Sequence, residues 1–287
     1  MKSTSRRRFF LAPLLGLSTA AYARFVEPTW LERTERSCAI PGLTRPVRLL
    51  HLSDLHASHD VPESLIERAI AMAIDSNPDL ICITGDFVTD TTGFDPHRYT
   101  ALLSRLPRKA STFAVLGNHD GGLWSADGGG FETTAEVADM VERSGIRLLA
   151  NSSVRIRCNE ATLQIAGVGD MWAGELDAVQ AFQETESGWP TILLSHNPDS
   201  KSLVARYDWS LMLSGHTHGG QVVIPVAGFN PAPVQDRGYI RGLRPWQDRW
   251  IHVSRGVGNI SGVRFNCRPE VTLLHLLPVQ SSSKAVS

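Results

Sequence analysis

Apolar residues in this chain fall into short unbroken runs, separated by longer stretches in which they recur every three or four positions. The runs are Val47–Leu52, Leu80–Thr84, Thr112–Leu116, Leu163–Val168, Thr191–Ser195, Leu211–Ser214, Trp250–Ser254 and Val271–Leu277. A continuous run, in place of strict alternation, predicts a strand buried on both faces. Between the runs, Pro62–Ser76 carries Leu65, Ile66, Ala69, Ile70, Met72 and Ala73 at helical spacing and predicts an amphipathic helix. Pro96–Leu106 predicts a second, with Asp95 as its cap and proline at its first position. Further helices are expected over Thr133–Arg143, closed by Gly145, over Asp177–Glu186 and over Asp199–Tyr207. Strands alternating with helices imply an α/β layered sheet with the helices outside.

Three segments fall outside this rhythm. Arg24–Arg45 is mixed in character, carries Pro28 and Pro41, and reads as a wrap-around arm or an edge strand. Gly121–Gly130 reads as a mobile glycine-rich loop, and Ile224–Arg244, rich in proline and glycine, as a long ordered surface loop. Residues 281–287 form a polar tail, expected to be disordered, so residues 24–280 are read as one domain.

A length of 287 residues suffices for a large core, and 42% hydrophobic with 20% charged residues is ordinary for a water-soluble domain. The N-terminus changes the picture. Ser5-Arg6-Arg7-Arg8-Phe9-Phe10-Leu11 reads as a twin-arginine export signal, followed by an apolar run to Ala20 and a small-x-small site at Ala21-Tyr22-Ala23. The apolar run is short for a permanent bilayer span. Export across the cytoplasmic membrane by the twin-arginine machinery is therefore expected, to the periplasm or the outer face of that membrane. Removing residues 1–23 turns a net charge of −1 into 24 basic against 29 acidic residues, −5. Such a chain has no global basic field for gripping nucleic acid, and none is expected as a partner.

The four cysteines, Cys38, Cys82, Cys158 and Cys267, form no CxxC pair, which argues against a thiolate zinc site. Cys82 lies mid-strand as a small hydrophobe, while an oxidising compartment would permit a disulfide among the others.

The chemistry lies in polar runs, each placed just after a predicted strand: Asp54-Leu55-His56, Gly85-Asp86, Gly117-Asn118-His119-Asp120, a lone His196, and Gly215-His216-Thr217-His218. They hold only oxygen and imidazole donors, the set that suits a hard or borderline divalent metal at the edge of a rigid sheet. Taken singly, each run has a plainer reading: a chance triplet, a turn, a helix entry. Taken jointly and in order, they point to a binuclear metal site.

This order resembles the calcineurin-like metallophosphoesterase superfamily, whose signature is D-x-H, G-D, G-N-H-[DE], a lone H and G-H-x-H. Within it the chain resembles the bacterial YkuE/YaeI-like branch, through the twin-arginine start, Gly167–Gly174, Gly219-Gly220-Gln221 and Val263-Arg264-Phe265-Asn266-Cys267. The resemblance implies a four-layer α-β-β-α sandwich with two mixed sheets. It implies that Asp54, His56 and His218 hold one metal, that Asn118, His196 and His216 hold another, and that Asp86 bridges the two. Mn, Fe or Zn would fit, and a metal-bridging hydroxide would attack the phosphoric ester. His119 would face the leaving group, and Asp120 would orient the His119 ring. One position departs from the pattern: many relatives carry an acid three residues after the bridging Asp, where this chain has Thr89, with Asp90 one step later.

The implied activity is phosphodiester hydrolysis, on a substrate linked to lipid or cell-wall polymer. The exported address also leaves room for peripheral membrane contact. Two alternatives stand beside it: a pyrophosphatase of the UDP-2,3-diacylglucosamine type from lipid A metabolism, and a non-catalytic, metal-stabilised scaffold. Around the runs, Arg237, Arg241, Arg244, Arg255 and Arg264 are candidates for an anion clamp, and Trp124 and Trp172 for an apolar rim.

Overall fold

The computed structural model describes residues 18–279. Most of the export signal, residues 1–17, and the polar tail from residue 280 lie outside them. Residues 18–25 are helical, and the Ala23 carbonyl accepts from the Arg264 N–H at 2.9 Å.

Twelve strands form two six-stranded mixed sheets. The first contains β1 (Glu32–Ile40), β2 (Val47–Leu52), β3 (Leu80–Thr84), β4 (Ser111–Val115), β5 (Arg147–Leu148) and β12 (Glu270–Pro278), in the order β1-β12-β2-β3-β4-β5. The second contains β6 (Ser152–Cys158), β7 (Ala161–Gly167), β8 (Thr191–Leu194), β9 (Leu211–Ser214), β10 (Gly242–Trp246) and β11 (Arg249–Val253), in the order β10-β11-β9-β8-β7-β6. Only β12 against β2, β10 against β11, and β6 against β7 run antiparallel.

The unbroken apolar runs have a direct cause. In β3, Leu80 and Cys82 point between the sheets, whereas Ile81 and Ile83 point to the helices. In β9, Leu211 and Leu213 point between the sheets, and Met212 faces the outer layer. Side chains alternate along a strand, so burial of both faces leaves no polar position. The helices α1 (Glu63–Asp75), α2 (Pro96–Leu103) and α4 (Ala135–Arg143) cover the first sheet, and the short α5 (Ala178–Phe182) with Trp209 covers the second. The layers are therefore α-β-β-α.

The arm from Arg24 holds β1, the edge strand that the sequence reading allowed, of which only Cys38 and Ile40 are buried. Other elements differ from the sequence reading. The glycine-rich loop contains a five-residue helix, α3 (Leu123–Asp127). The helix expected over Asp199–Tyr207 is a 3-10 turn, Pro198–Ser202, and beyond it the Trp209 ring N–H donates to the Val204 carbonyl at 3.0 Å. Residues 224–244 hold two further 3-10 turns and the start of β10. All four cysteines are free and buried, and burial pushes the Cys38 thiol up to about 12, far from a reactive thiolate.

Candidate metal centre

Parallel strands end on the same side of each sheet, so the loops after β2, β3, β4, β8 and β9 meet at one rim. Those loops carry Asp54 and His56, Asp86, Asn118 and His119, His196, and His216 and His218 in turn. Backbone bonds fix the loops to one another: Asp54 N–H to the Gly85 carbonyl at 3.0 Å, His56 N–H to the Asp86 carbonyl at 2.9 Å, and Gly215 N–H to the His196 carbonyl at 3.0 Å. The fit is close. A Cβ on Gly117 would lie 2.3 Å from Asp86 Oδ1, and one on Gly215 would lie 2.2 Å from Asp54 Oδ2, so neither position tolerates a side chain. Asp54, His56, Asp86, His216 and His218 all have φ between 48° and 67°. Left-handed backbone costs a non-glycine residue about 1–3 kcal/mol and persists only where the surroundings enforce it, which is typical of functional loops.

Asp54, His56, Asp86 and His218, all buried, offer ligand atoms within 4.8 Å of one another. His56 Nε2 lies 2.9 Å from His218 Nε2 and 3.4 Å from Asp86 Oδ2, and His218 Nε2 lies 3.5 Å from Asp54 Oδ1. Asp86 Oδ2 reaches the other way to His196 Nε2, at 3.1 Å. His216 closes that second group, with Nδ1 at 2.9 Å from Asn118 Oδ1 and its ring centroid 5.1 Å from that of His196. The other six sequence candidates for metal binding thus gather around Asp86, three on one side and three on the other.

Asp54 Oδ2, His196 Nε2 and His216 Nε2 are buried and make no hydrogen bond. The His196 Nδ1 stands 2.7 Å from the Thr84 carbonyl, an acceptor only, so Nδ1 carries a proton and Nε2 faces the Asp86 carboxylate. Burial opposes charge on this ring, but Asp86 and Asp54 outweigh it and hold its pKa well above the ordinary value, a field that favours a cation at Nε2. Unpartnered buried polar atoms are costly. A divalent cation on each side of Asp86 would satisfy these lone pairs, and the donor set fits Mn, Fe or Zn.

Electrostatics agree with that fit. Burial holds His56 down to about 3, and burial with His196 does the same for His216, so both rings are neutral, as metal ligation requires. Burial opposes ionisation of Asp86, but His196, His119 and His56 hold its carboxyl well below the usual range. The His119 N–H donates to Asp86 Oδ1 at 3.0 Å and leaves Oδ2 facing the imidazoles.

His119 is half-buried, its ring edge-on to His56 with 5.2 Å between centroids. The resemblance assigns Asp120 to the other nitrogen of that ring, and here the structure requires a correction. Asp120 Oδ1 accepts from the N–H groups of Phe87 (2.6 Å) and Val88 (3.1 Å), and Oδ2 from Gly117 (2.9 Å). Buried among backbone donors, the carboxylate pins the Asp86 loop to the Gly117 loop and does not position the His119 ring. Thr89 resolves the departure from the family pattern: its Oγ1 lies 2.6 Å from His56 Nδ1 and supports the ring, while Asp90 caps Thr92.

Sequence reasoning offered Arg264 as a candidate for an anion clamp, but the structure occupies its guanidinium with backbone. Its side chain is fully buried, donates to the carbonyls of Gly258 (3.1 Å), Cys267 (2.9 Å) and Arg255 (2.8 Å), and brings Nη2 to 3.3 Å from His218 Nδ1. Arg237 is also occupied by backbone, donating to the Ala232 carbonyl. Trp172 does form a rim. Its ring meets His216 edge-on at 4.3 Å and Trp124 at 5.4 Å, and both tryptophans are exposed. On another side, a groove lined by His216, Gln221, Pro231, Pro233 and Ile260 leads to the ligand loop.

The calcineurin-like phosphoesterase family model matches residues 47–220, the stretch that carries every candidate ligand. The chain is 39% identical to phosphodiesterase YaeI of Escherichia coli strain K12, covering 95% of this chain and 99% of that one. It is 30% identical to metallophosphoesterase YkuE of Bacillus subtilis strain 168, covering 96% and 99%. It is 28% identical to UDP-2,3-diacylglucosamine pyrophosphatase LpxG of Chlamydia trachomatis serovar D, covering 93% and 94%.

Proposed function

Because the chain belongs to the calcineurin-like phosphoesterase family, in the branch of YaeI and YkuE, we propose that it is a phosphodiesterase working with two divalent metal ions held around Asp86. The observation that carries this reading is the set of buried, unpartnered donor atoms on Asp54, His196 and His216 around one ionised carboxylate. Asp54, His56 and His218 would hold one ion and Asn118, His196 and His216 the other, with Asp86 shared between the two groups. Bound there, the ions would supply positive charge for the phosphoryl oxygens and lower the pKa of water.

The remaining roles belong to the chain itself. His119, fixed through its backbone to Asp86 and open on its ring side, donates a proton to the leaving-group oxygen. Trp172 covers the edge of His216 and limits water on that flank. The apolar character of the surroundings supports a lipid-linked phosphodiester. Trp172 stands exposed against His216 with Trp124 beside it, and the half-exposed Ile260 lines the groove with Pro231 and Pro233. The 28% identity to a diacylglucosamine pyrophosphatase points the same way. The scaffold alternative has less support, since no donor is missing and His119 is in place.

An address outside the cytoplasmic membrane, reached by the twin-arginine machinery and with peripheral contact to the membrane, completes the proposal, and the N-terminal Ser5–Leu11 pattern supports it. There a lipid- or polymer-linked ester is at hand and the cytoplasmic nucleotide sugar is not.

The test is hydrolysis of bis(p-nitrophenyl) phosphate by chelator-treated protein with and without added Mn²⁺. Activity should return with the metal, and Asp54→Ala and His216→Ala should abolish it and lower bound metal. Normal turnover in either variant would refute the assignment.

A further inference from the structure

The two sheets part at one edge, where β1 and β10 are the outer strands. Between them lies a cavity of about 480 Å³, in the size range of small-molecule sites, lined by Glu32, Arg36, Arg241, Arg244, Arg255 and Glu270 among others. The metal centre uses none of these side chains.

The two acids are already neutralised. Arg255 Nη2 is 2.7 Å from both Glu32 Oε1 and Glu270 Oε2, the Arg255 N–H donates to Glu270 Oε1 at 2.8 Å, and Arg268 approaches Glu32 at 3.6 Å. Arg36 donates to the Glu35 carbonyl. Among the described residues, Arg36, Arg241 and Arg244 have no carboxylate within ion-pair distance. Four guanidiniums against two carboxylates leave a surplus of two positive charges in a concave site, on a chain whose net charge is −1. Low-dielectric walls concentrate such a field, and planar guanidinium forks match phosphoryl oxygens in pairs.

The cavity lies at the same rim as the metal ligands. Glu32 opens β1 and Glu270 opens β12, which runs antiparallel to β2, and Asp54 follows the end of β2. Two strand spacings separate β1 from β2, roughly 10 Å. The sites are also joined. The Arg255 stem fills the space behind Gly219, where a Cβ would lie 2.7 Å from Arg255 Cγ, and Thr217 Oγ1 donates to the Ile240 carbonyl at 2.7 Å, beside Arg241.

We infer that this cavity is a second anion site, separate from the metal centre, which takes a phosphoryl group of a phosphorylated ligand through Arg36, Arg241 and Arg244. The site stands independently of the metal reading, since none of its residues is a metal ligand. The phosphoryl group comes either from a distal part of the substrate or from a separate effector.

The probe is inorganic pyrophosphate, titrated calorimetrically into full-length, chelator-treated protein. The expected result is saturable one-site binding that weakens at high salt, is at least tenfold weaker in Arg241→Ala/Arg244→Ala, and is unchanged in His216→Ala. Should circular dichroism find the double variant unfolded, Arg244→Glu alone carries the same tenfold expectation. No saturable binding, equal binding in the arginine variants, or loss of binding in His216→Ala would overturn the inference. A second arm assigns the source. With metal-loaded enzyme, a KM that rises in the double variant only for diesters bearing a second phosphate makes the site part of substrate binding. An unchanged KM for both diester types, with tenfold weaker pyrophosphate binding retained, makes the ligand a separate effector.

Discussion

His56 and His218 face each other Nε2 to Nε2 at 2.9 Å, both rings buried and 4.8 Å apart between centroids. Two neutral imidazoles can share one proton at most, and burial keeps both rings below their ordinary pKa, so the pair cannot settle by charging. With Asp54 and Asp86 at 3.5 and 3.4 Å, the four donors are arranged for a cation.

Removing metal should therefore weaken the fold as well as the activity. An ion present at a hundredfold excess over its dissociation constant adds about 2.7 kcal/mol to stability. At roughly 2–4 °C per kcal/mol for a chain near this size, chelation should lower Tm by about 5 °C or more, and Mn²⁺ should restore it. Differential scanning calorimetry checks this, and a Tm indifferent to chelator would count against the centre.

His119→Ala separates proton donation from metal binding. The His119 ring is not among the donors that surround Asp86, so metal content should hold. The rate should fall about 10²–10⁴-fold for a diester with a poorly acidic leaving group and much less for a nitrophenolate. Equal losses on both substrates would argue against a leaving-group role.

Arg264 should matter more than an ordinary arginine. Replacing it by methionine leaves several buried carbonyls unpaired and frees the back of His218, at a cost of about 3–5 kcal/mol, and Arg264→Lys should not rescue because an ammonium cannot reproduce the fork. Urea titration reads the loss directly; a change under about 1 kcal/mol would contradict this role.

The Arg255–Glu270 pair sets an acid limit. Burial raises the Glu270 carboxyl, but Arg255 and His252 outweigh it and hold it below its ordinary value. A depressed carboxylate contributes stability that is complete above its unfolded pKa, about 4.3, and is lost as pH falls through the folded value. Glu270→Gln should thus be destabilised at pH 7 by about 3–5 kcal/mol, with the gap to the parent closing below about pH 4. Paired denaturant titrations across pH 3–8 check the convergence.

Much of this was legible in the sequence. The buried strands announce themselves because both faces are apolar, and strand ends fix where the following polar run must stand. The donors Asp54, His56, Asp86, Asn118, His196, His216 and His218 could be chosen on that ground. The strands that escaped notice, β5, β6 and β10, lie at sheet edges, where one face meets solvent and the sequence alternates or is charged, and β1, at another edge, could be read only as an arm or an edge strand. Asp120 was legible as an acid beside the site but not in its partner, since three backbone N–H groups from two loops converge on it only in the fold. Arg264 was legible as a candidate anion binder but not in its actual part, since it is distant in sequence from every ligand and only the fold buries its guanidinium behind His218.

The central claim is that Asp86 joins two metal ions, and elemental analysis of active protein beside Asp86→Ala tests it most directly. The account predicts about two equivalents of transition metal per chain in the parent, with metal and turnover both falling steeply in the variant. Full phosphodiesterase activity in protein free of metal, or an Asp86→Ala protein that keeps both ions and its rate, would contradict it.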